Sequence, residues 1–428
     1  MGQLKRKLCP YEKFFWFPNC GPFNFNISIL GEIDGCLDLA SLRKALSIIQ
    51  VKHSFLSVKV IGSQVPYFQK IDILPIPIRV AEIQTEKELR KELLREIHEP
   101  FNLNTGSFVR LVISRNAEIN WIIITGDHLI ADGISLSSLL LEILDLTFGL
   151  PATVSECANA IPMSSTNRIG INKKSAFQRK PYRLDKTALK EAEKFAGLVS
   201  ISQSTGFFSK LFSKLDTKKI IHACKEKNVT VQSALFAASI LAIESKIRKD
   251  TETAESIPIQ YECPVNLRPF LKKDPIRNQL SCFIGILNFE LQKDKQEDFW
   301  EIANKAKAEL DRAIFPGLEA HIVEQFTDIA KKASSFEDVR KLRSWKGPLV
   351  GVSNLGIIPH EKHSRLRNLS VFGNLCGTFY CENSFYLTAS TFKHQLTINL
   401  FYPKGLMKDH CAKRALDFIT MTFNMLNA

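Results

Sequence analysis

The sequence predicts a mixed α/β protein built as two layered units with a cleft between them. Three observations point there. Apolar strand-like runs alternate with amphipathic helical runs through both halves of the chain. A long stretch rich in Pro, Ser, Asn, Arg and Lys, without periodicity, separates the halves. Four bulky apolar residues in a row, Trp121-Ile-Ile-Ile124, run through Thr125 into a polar cluster. The expected units are residues 1–165 and 166–428, with the crossover over about 151–183.

In the first half, Phe25, Ile27, Ile29 and Ile33 alternate with Asn26, Ser28 and Glu32, which predicts a half-buried strand ending at Gly35. Asp38 is placed to cap a helix whose apolar stripe is Leu39, Leu42, Leu46 and Ile49. Val51 to Val60 is expected to form a second strand. Thr85 and Glu88 have the spacing of a capping box, for a helix that shows Leu89, Leu93 and Ile97 on one face and that Pro100 ends. Phe108–Ser114 and Trp121–Thr125 flank a polar turn and read as a hairpin that delivers His128 at its end. Ile134 to Leu146 is apolar on most of its circumference, as a buried helix is, and Gly149-Leu-Pro151 stops it.

The second half repeats the pattern. Ile220–Lys227 is expected to be helical, and Thr230 caps an Ala-rich buried helix over Val231–Lys246 that carries Ala234, Ala237, Ala238 and Leu241. Ile257–Cys263 reads as a strand leading to Asn266-Leu267-Arg268, Phe283–Leu291 as another, and Asp298–Leu310 as a helix. Leu349–Val352 is a strand expected to run into a small polar turn, Ser353-Asn354-Leu355-Gly356. Phe385–Tyr402 forms a hairpin, and a closing helix places Leu416, Ile419, Phe423 and Leu426 on one face.

Composition narrows the function classes. A chain of 428 residues, 45% hydrophobic and 24% charged, has the make-up of a soluble globular protein with a large core. No run reaches the roughly 18 apolar residues of a membrane span, and the basic start lacks the apolar stretch of a signal peptide. Ten cysteines are scattered singly, so reduced cytoplasmic thiols are expected rather than a zinc site or a disulfide framework. The net charge of +13 suits an anionic partner such as coenzyme A phosphates, an acidic carrier protein, nucleic acid or anionic lipid. No nucleic-acid-reading motif is present, and the phenylalanines are spread through core positions. Phosphate-binding and dinucleotide Gly motifs are missing, and Leu355 stands where a nucleophile elbow needs glycine.

The chemistry-bearing pattern is His128, then Asp132, then Gly133, directly after a buried strand. A strand end holds such groups rigidly, and an imidazole there can serve as a base near neutral pH. The plainer reading of the same letters is an Asp-Gly turn beside a satisfied core histidine.

The surroundings carry a resemblance. Leu39-x-x-Leu42-x-x-Ala45-Leu46 followed by Lys52-His53-Ser-Phe-Leu56, then Pro100-Phe101-Asn-Leu103 with Gly106-Ser-Phe-Val-Arg110, then His128-x-x-x-Asp132-Gly133, resemble the ordered motifs of the coenzyme A-dependent acyltransferase superfamily. Val229-Thr230-Val231, Asn266-Leu267-Arg268 and Ser353-Asn354-Leu355-Gly356 continue them in the family's order. That superfamily contains chloramphenicol acetyltransferase and peptide-synthetase condensation domains. Position 127 is Asp where condensation domains carry a second histidine, and the plant branch's Asp-Phe-Gly-Trp-Gly is missing. The chain looks closest to the alcohol acetyltransferase and polyketide-associated branch.

The resemblance implies two chloramphenicol acetyltransferase-like subdomains with an active-site channel between them. It implies an acyl donor that is a thioester, either acyl-CoA or acyl-carrier phosphopantetheine, with no permanently bound cofactor and no metal. His128 would be the general base, and Asp132 would turn away from the channel to pair with Arg268. Ser353 and Asn354 are candidates for donors to the reaction's oxyanion, because their strand is expected to end across the cleft from His128. The acceptor would be a small-molecule or lipid alcohol, or an amine. A stand-alone cytoplasmic monomer, or a catalytically silent binding homologue of the same fold, are the remaining expectations.

Overall fold

Helices begin where the caps predict. The computed structural model describes residues 5–21, 23–114, 119–150, 161, 194, 199–201, 204–250, 256–270, 279–314, 318–342, 347–359, 365–375 and 379–426. The expected crossover over about 151–183 lies outside the described residues except for Ile161.

The first half runs β1 (Lys5–Lys7), α1 (Pro10–Trp16), β2 (Asn26–Asp34), α2 (Leu39–Lys52), β3 (Val58–Ile61), β4 (Tyr67–Lys70), β5 (Ile78–Ala81), α3 (Glu86–His98), β6 (Val109–Ser114), β7 (Ile119–Asp127) and α4 (Gly133–Thr147). The second runs β8 (Val199–Ile201), β9 (Ser204–Leu211), α5 (Lys214–Glu226), α6 (Val231–Asp250), β10 (Ser256–Asn266), β11 (Ile284–Asp294), α7 (Phe299–Ala313), α8 (Leu318–Lys332), α9 (Phe336–Leu342), β12 (Leu349–Ile357), β13 (Leu366–Gly373), β14 (Phe379–Cys381), β15 (Ser384–Phe392), β16 (Gln395–Lys404) and α10 (Asp409–Met425). Asp38 accepts from Ser41 N at 2.7 Å, and Thr85 and Glu88 close a reciprocal capping box.

Two mixed sheets form the frame. One has the order β13-β2-β7-β6-β5, the other β11-β10-β12-β15-β16-β9. Strand β2 is buried on both faces, not on one. Helices α2 and α4 cover one side, where Ile29, Ile124 and Leu136 meet, and α3 covers the other, where Leu30, Leu93 and Ile123 meet. The run Ile122-Ile123-Ile124 at the heart of β7 is wholly buried. Each such side chain stabilises the fold by roughly 1.5–3 kcal/mol.

The halves are interlaced. Strand β13 comes from the second half but pairs with β2 at the edge of the first sheet. Its Val371 carbonyl accepts from Thr388 Oγ1 at 2.6 Å and Asn399 Nδ2 at 2.9 Å, both on the second sheet. Phe207, Phe372 and Phe401 pack across the same seam.

Two local expectations are corrected. Val51–Val60 is not one strand: helix α2 continues to Lys52, a 3-10 turn occupies Ser54–Ser57, and only Val58–Ile61 is extended. Ser353–Gly356 is not a turn but part of β12, in register with Thr388 and Ala389 of β15 until an irregularity before Ile357, where Gly356 takes φ +72°.

Candidate active site

Strand β7 delivers His128 through a tight turn. The Asp127 carbonyl accepts from Ile130 N and Ala131 N, both at 3.1 Å, and Asp127 Oδ1 accepts from Leu129 N at 2.8 Å. The Asx geometry bends the chain back at the end of β7, the central strand of its sheet. His128 Nδ1 lies 2.9 Å from the Ala131 carbonyl oxygen. A carbonyl only accepts, so Nδ1 carries the proton and Nε2 keeps its lone pair. The residue is half-buried. Burial pushes its pKa down to about 4, against the opposing pull of Asp132 and the Ala131 hydrogen bond.

Asp132 does not touch the ring. It caps α4, with Oδ1 accepting from Ser135 N at 2.9 Å. Its Oδ2 accepts from Arg268 Nη1 at 2.8 Å and from Phe283 N at 2.7 Å. Burial alone would raise this carboxyl, but the Arg268 guanidinium and the backbone donors outweigh it and hold the carboxyl below its usual range. Arg268 also donates from Nη2 to the Ser281 carbonyl at 3.0 Å and lies 5.4 Å from the Phe283 ring centroid. The pair thus joins the loop after His128 to the start of β11 in the other half.

Gly133 opens α4, and its backbone is not in the left-handed region. Its need for glycine is therefore one of close approach rather than of a tight turn. A Cβ at this position would sit 3.0 Å from Leu355 Cδ2. That contact brings the strand end carrying Ser353 and Asn354 against the motif. Asn354 Oδ1 accepts from Gly356 N at 2.9 Å, the self-capping role that a polar residue takes beside a bend, and its Nδ2 is left to donate elsewhere. Ser353 is half-buried on the same strand.

Several neighbours escaped the sequence reading. Phe15 of α1 stacks on the His128 ring, with centroids 5.6 Å apart and planes at 29°. Cys282 Sγ lies 3.9 Å from His128 Nδ1, and burial pushes its thiol pKa well up, which disfavours the nucleophilic thiolate form. Tyr11 donates to the Ile284 carbonyl at 2.8 Å and accepts from Ile284 N at 2.9 Å. Buried His53 accepts from Leu280 N at 3.0 Å through Nδ1 and pairs with Glu142 through Nε2, a second strut between the halves. The Pro10 start and the Tyr11, Phe14, Phe15 spacing were the available signals for α1; nothing local points Phe15 at a residue more than a hundred positions away. Among the described residues, no group of three or more His, Cys, Asp or Glu side chains is arranged to hold a metal ion, and no helix is long and apolar enough to cross a membrane. The described cysteines are free thiols.

The fold recurs in solved structures. Polyketide synthase associated protein 5 from Mycobacterium tuberculosis matches at a TM-score of 0.66 and 17% identity, over 100% of this chain and 99% of that one. Trichothecene 15-O-acetyltransferase from Fusarium sporotrichioides matches at 0.71 and 11% identity, over 99% and 95%. The first condensation domain of the CDA synthetase matches at 0.69 and 12% identity, over 100% and 97%.

The chain has the CoA-acyltransferase/condensation fold.

The family described as phthiocerol/phthiodiolone dimycocerosyl transferase C-terminus matches residues 208–401 of it. No curated protein sequence matches the chain. Strand β13 is the segment by which the second half of this chain reaches back into the first. The pairing of Asp132 with Arg268 locks those halves together beside His128.

Proposed function

We propose that this protein is an acyltransferase that moves an acyl group from a thioester, acyl-CoA or an acyl-carrier phosphopantetheine, to a hydroxyl of a small metabolite or lipid. His128 is the general base. The observation that carries the reading is the His128 ring itself: Nδ1 is committed to the Ala131 carbonyl, and the ring is only half-buried, so an unprotonated Nε2 is available.

The acceptor's O–H proton passes to Nε2 as its oxygen attacks the thioester carbonyl. The tetrahedral intermediate carries its charge on the former carbonyl oxygen, where Ser353 and the Asn354 amide are the candidate donors. Collapse breaks the C–S bond, and the imidazolium returns the proton to the departing thiolate. The products are an ester and a free thiol. A base whose pKa sits at about 4 is fully unprotonated at neutral pH, and the imidazolium forms only while the negative intermediate is present. Asp132 and Arg268 hold the loop, and with it the direction of Nε2.

An amine acceptor would use the same base in the same way and give an amide. The test is product formation: purified protein is mixed with a series of acyl-CoA chain lengths and a panel of alcohols and amines, and the products are weighed by mass spectrometry. An ester with release of free CoA supports the proposal, an amide selects the second reading, and neither product with any donor removes the transferase reading.

A further inference from the structure

Helix α1 takes no part in the steps above, yet it covers one side of the imidazole. Phe15 is 2% exposed and stacks on His128. Behind it, Phe14 and Tyr11 of the same helix and Phe326 of α8 complete an aromatic block, with centroids 5.1, 5.3 and 6.1 Å from Phe15. The helix is fastened at both ends. Tyr11 holds both backbone groups of Ile284 on β11, and its hydroxyl lies 3.4 Å from Cys282 Sγ. Beyond the C-terminal end, Asn19 donates to the Phe15 carbonyl at 3.3 Å, and its amide faces the carboxyl of Asp127, the residue before His128.

One hydrogen bond at Nδ1 leaves the imidazole free to rock about that contact. A stacked ring removes this freedom, because two constraints, an axis and a plane, define where Nε2 points. We propose that Phe15 is a positioning residue: its ring fixes the plane of the His128 imidazole and keeps water off one face of it. The proposal rests on His128 being the base. The titratable groups around the imidazole are Asp132, Cys282, Tyr11 and Asp127, and all of them remain when Phe15 is shortened.

The test compares Phe15→Ala and Phe15→Leu with the parent protein. Histidine-labelled protein is titrated by NMR to read the His128 midpoint, and kcat and KM are measured separately. In Phe15→Ala, water reaches the ring, so the midpoint rises from about 4 toward the ordinary imidazole value of about 6.5. Its kcat falls about tenfold or more, with KM within about twofold. Phe15→Leu keeps the site dry but loses the plane, so its midpoint stays low while kcat falls. A Phe15→Ala protein that folds and titrates as the parent does overturns the proposal. If that variant fails to fold, an unchanged kcat in Phe15→Leu overturns it instead. The NMR midpoint does not depend on turnover, so a base reading that fails is told apart from a positioning role that fails.

Discussion

Removing Arg268 exposes how the loop behind His128 is held. The Asp132 side chain is 1% exposed and that of Arg268 11% exposed, with 2.8 Å between Nη1 and Oδ2. Arg268→Ala leaves a buried carboxylate with two backbone donors, Ser135 N and Phe283 N, and no counter-charge. Breaking a buried pair from one side costs about 3–5 kcal/mol. An unfolding entropy of about 2.1 cal/mol/K per residue over 428 residues amounts to about 0.9 kcal/mol/K, so Tm should fall by about 3–5 °C if the chain unfolds as one unit. The deficit also depends on pH. A carboxyl whose folded pKa is depressed contributes stability above its unfolded pKa and loses it as pH falls through the folded value. The gap between Arg268→Ala and the parent should therefore be full at neutral pH and shrink as acid protonates Asp132. Thermal unfolding followed by circular dichroism at several pH values reads both effects. Arg268→Lys, which keeps the charge without the fork, should fall between the two. A Tm that does not move, or a deficit constant from neutral to acid pH, would refute the reasoning.

Two further perturbations follow from the same geometry. Gly133→Ala places a Cβ 3.0 Å from Leu355 Cδ2 and should cost about 1 kcal/mol; Leu355→Ala should recover part of that loss, and a double-mutant cycle with no coupling would contradict the contact. Burial raises the Asp127 carboxyl to about 7, above its unfolded value of 3.8, so the folded state keeps a proton that the unfolded state has released, and stability falls as pH rises through that window. Removing the group with Asp127→Asn should leave stability near that of the parent at pH of about 4 and raise it by up to about 4 kcal/mol by pH of about 8; urea midpoints that differ by the same amount at both ends would reject this.

The parts of the fold that periodicity or capping chemistry encodes locally were legible in the sequence. Asp38, Thr85 and Asp298 mark helix starts because their side chains bond the first free N–H groups, a relation confined to a few residues. The Ile122–Ile124 core of β7 was legible because a strand covered on both sides needs unbroken apolarity. What depends on the other half of the chain was not. Ser353-Asn354-Leu-Gly356 looks like a turn by its letters, yet flanking strands draw it into β12. The Asp-Gly step looks like a turn by its letters, whereas the close approach of Leu355 sets the requirement for glycine. Strand β13 joins the first sheet across more than three hundred residues, whereas α8 does show local helical spacing at Leu318, Ile322, Val323 and Phe326. At the site, the motif residues stood out, but the ring that stacks on the imidazole and the thiol beside it came from segments with no local sign of such a role.

The most direct measurement is thiol release from acyl-CoA, in the presence of an accepted alcohol, by the parent protein and by His128→Ala at matched folded content. The account predicts a loss of about 10²- to 10⁴-fold in kcat for the variant, and a parent rate that stays flat as pH falls below about 6.5, since the base does not protonate until about 4. Release at the parent's rate by folded His128→Ala would contradict it.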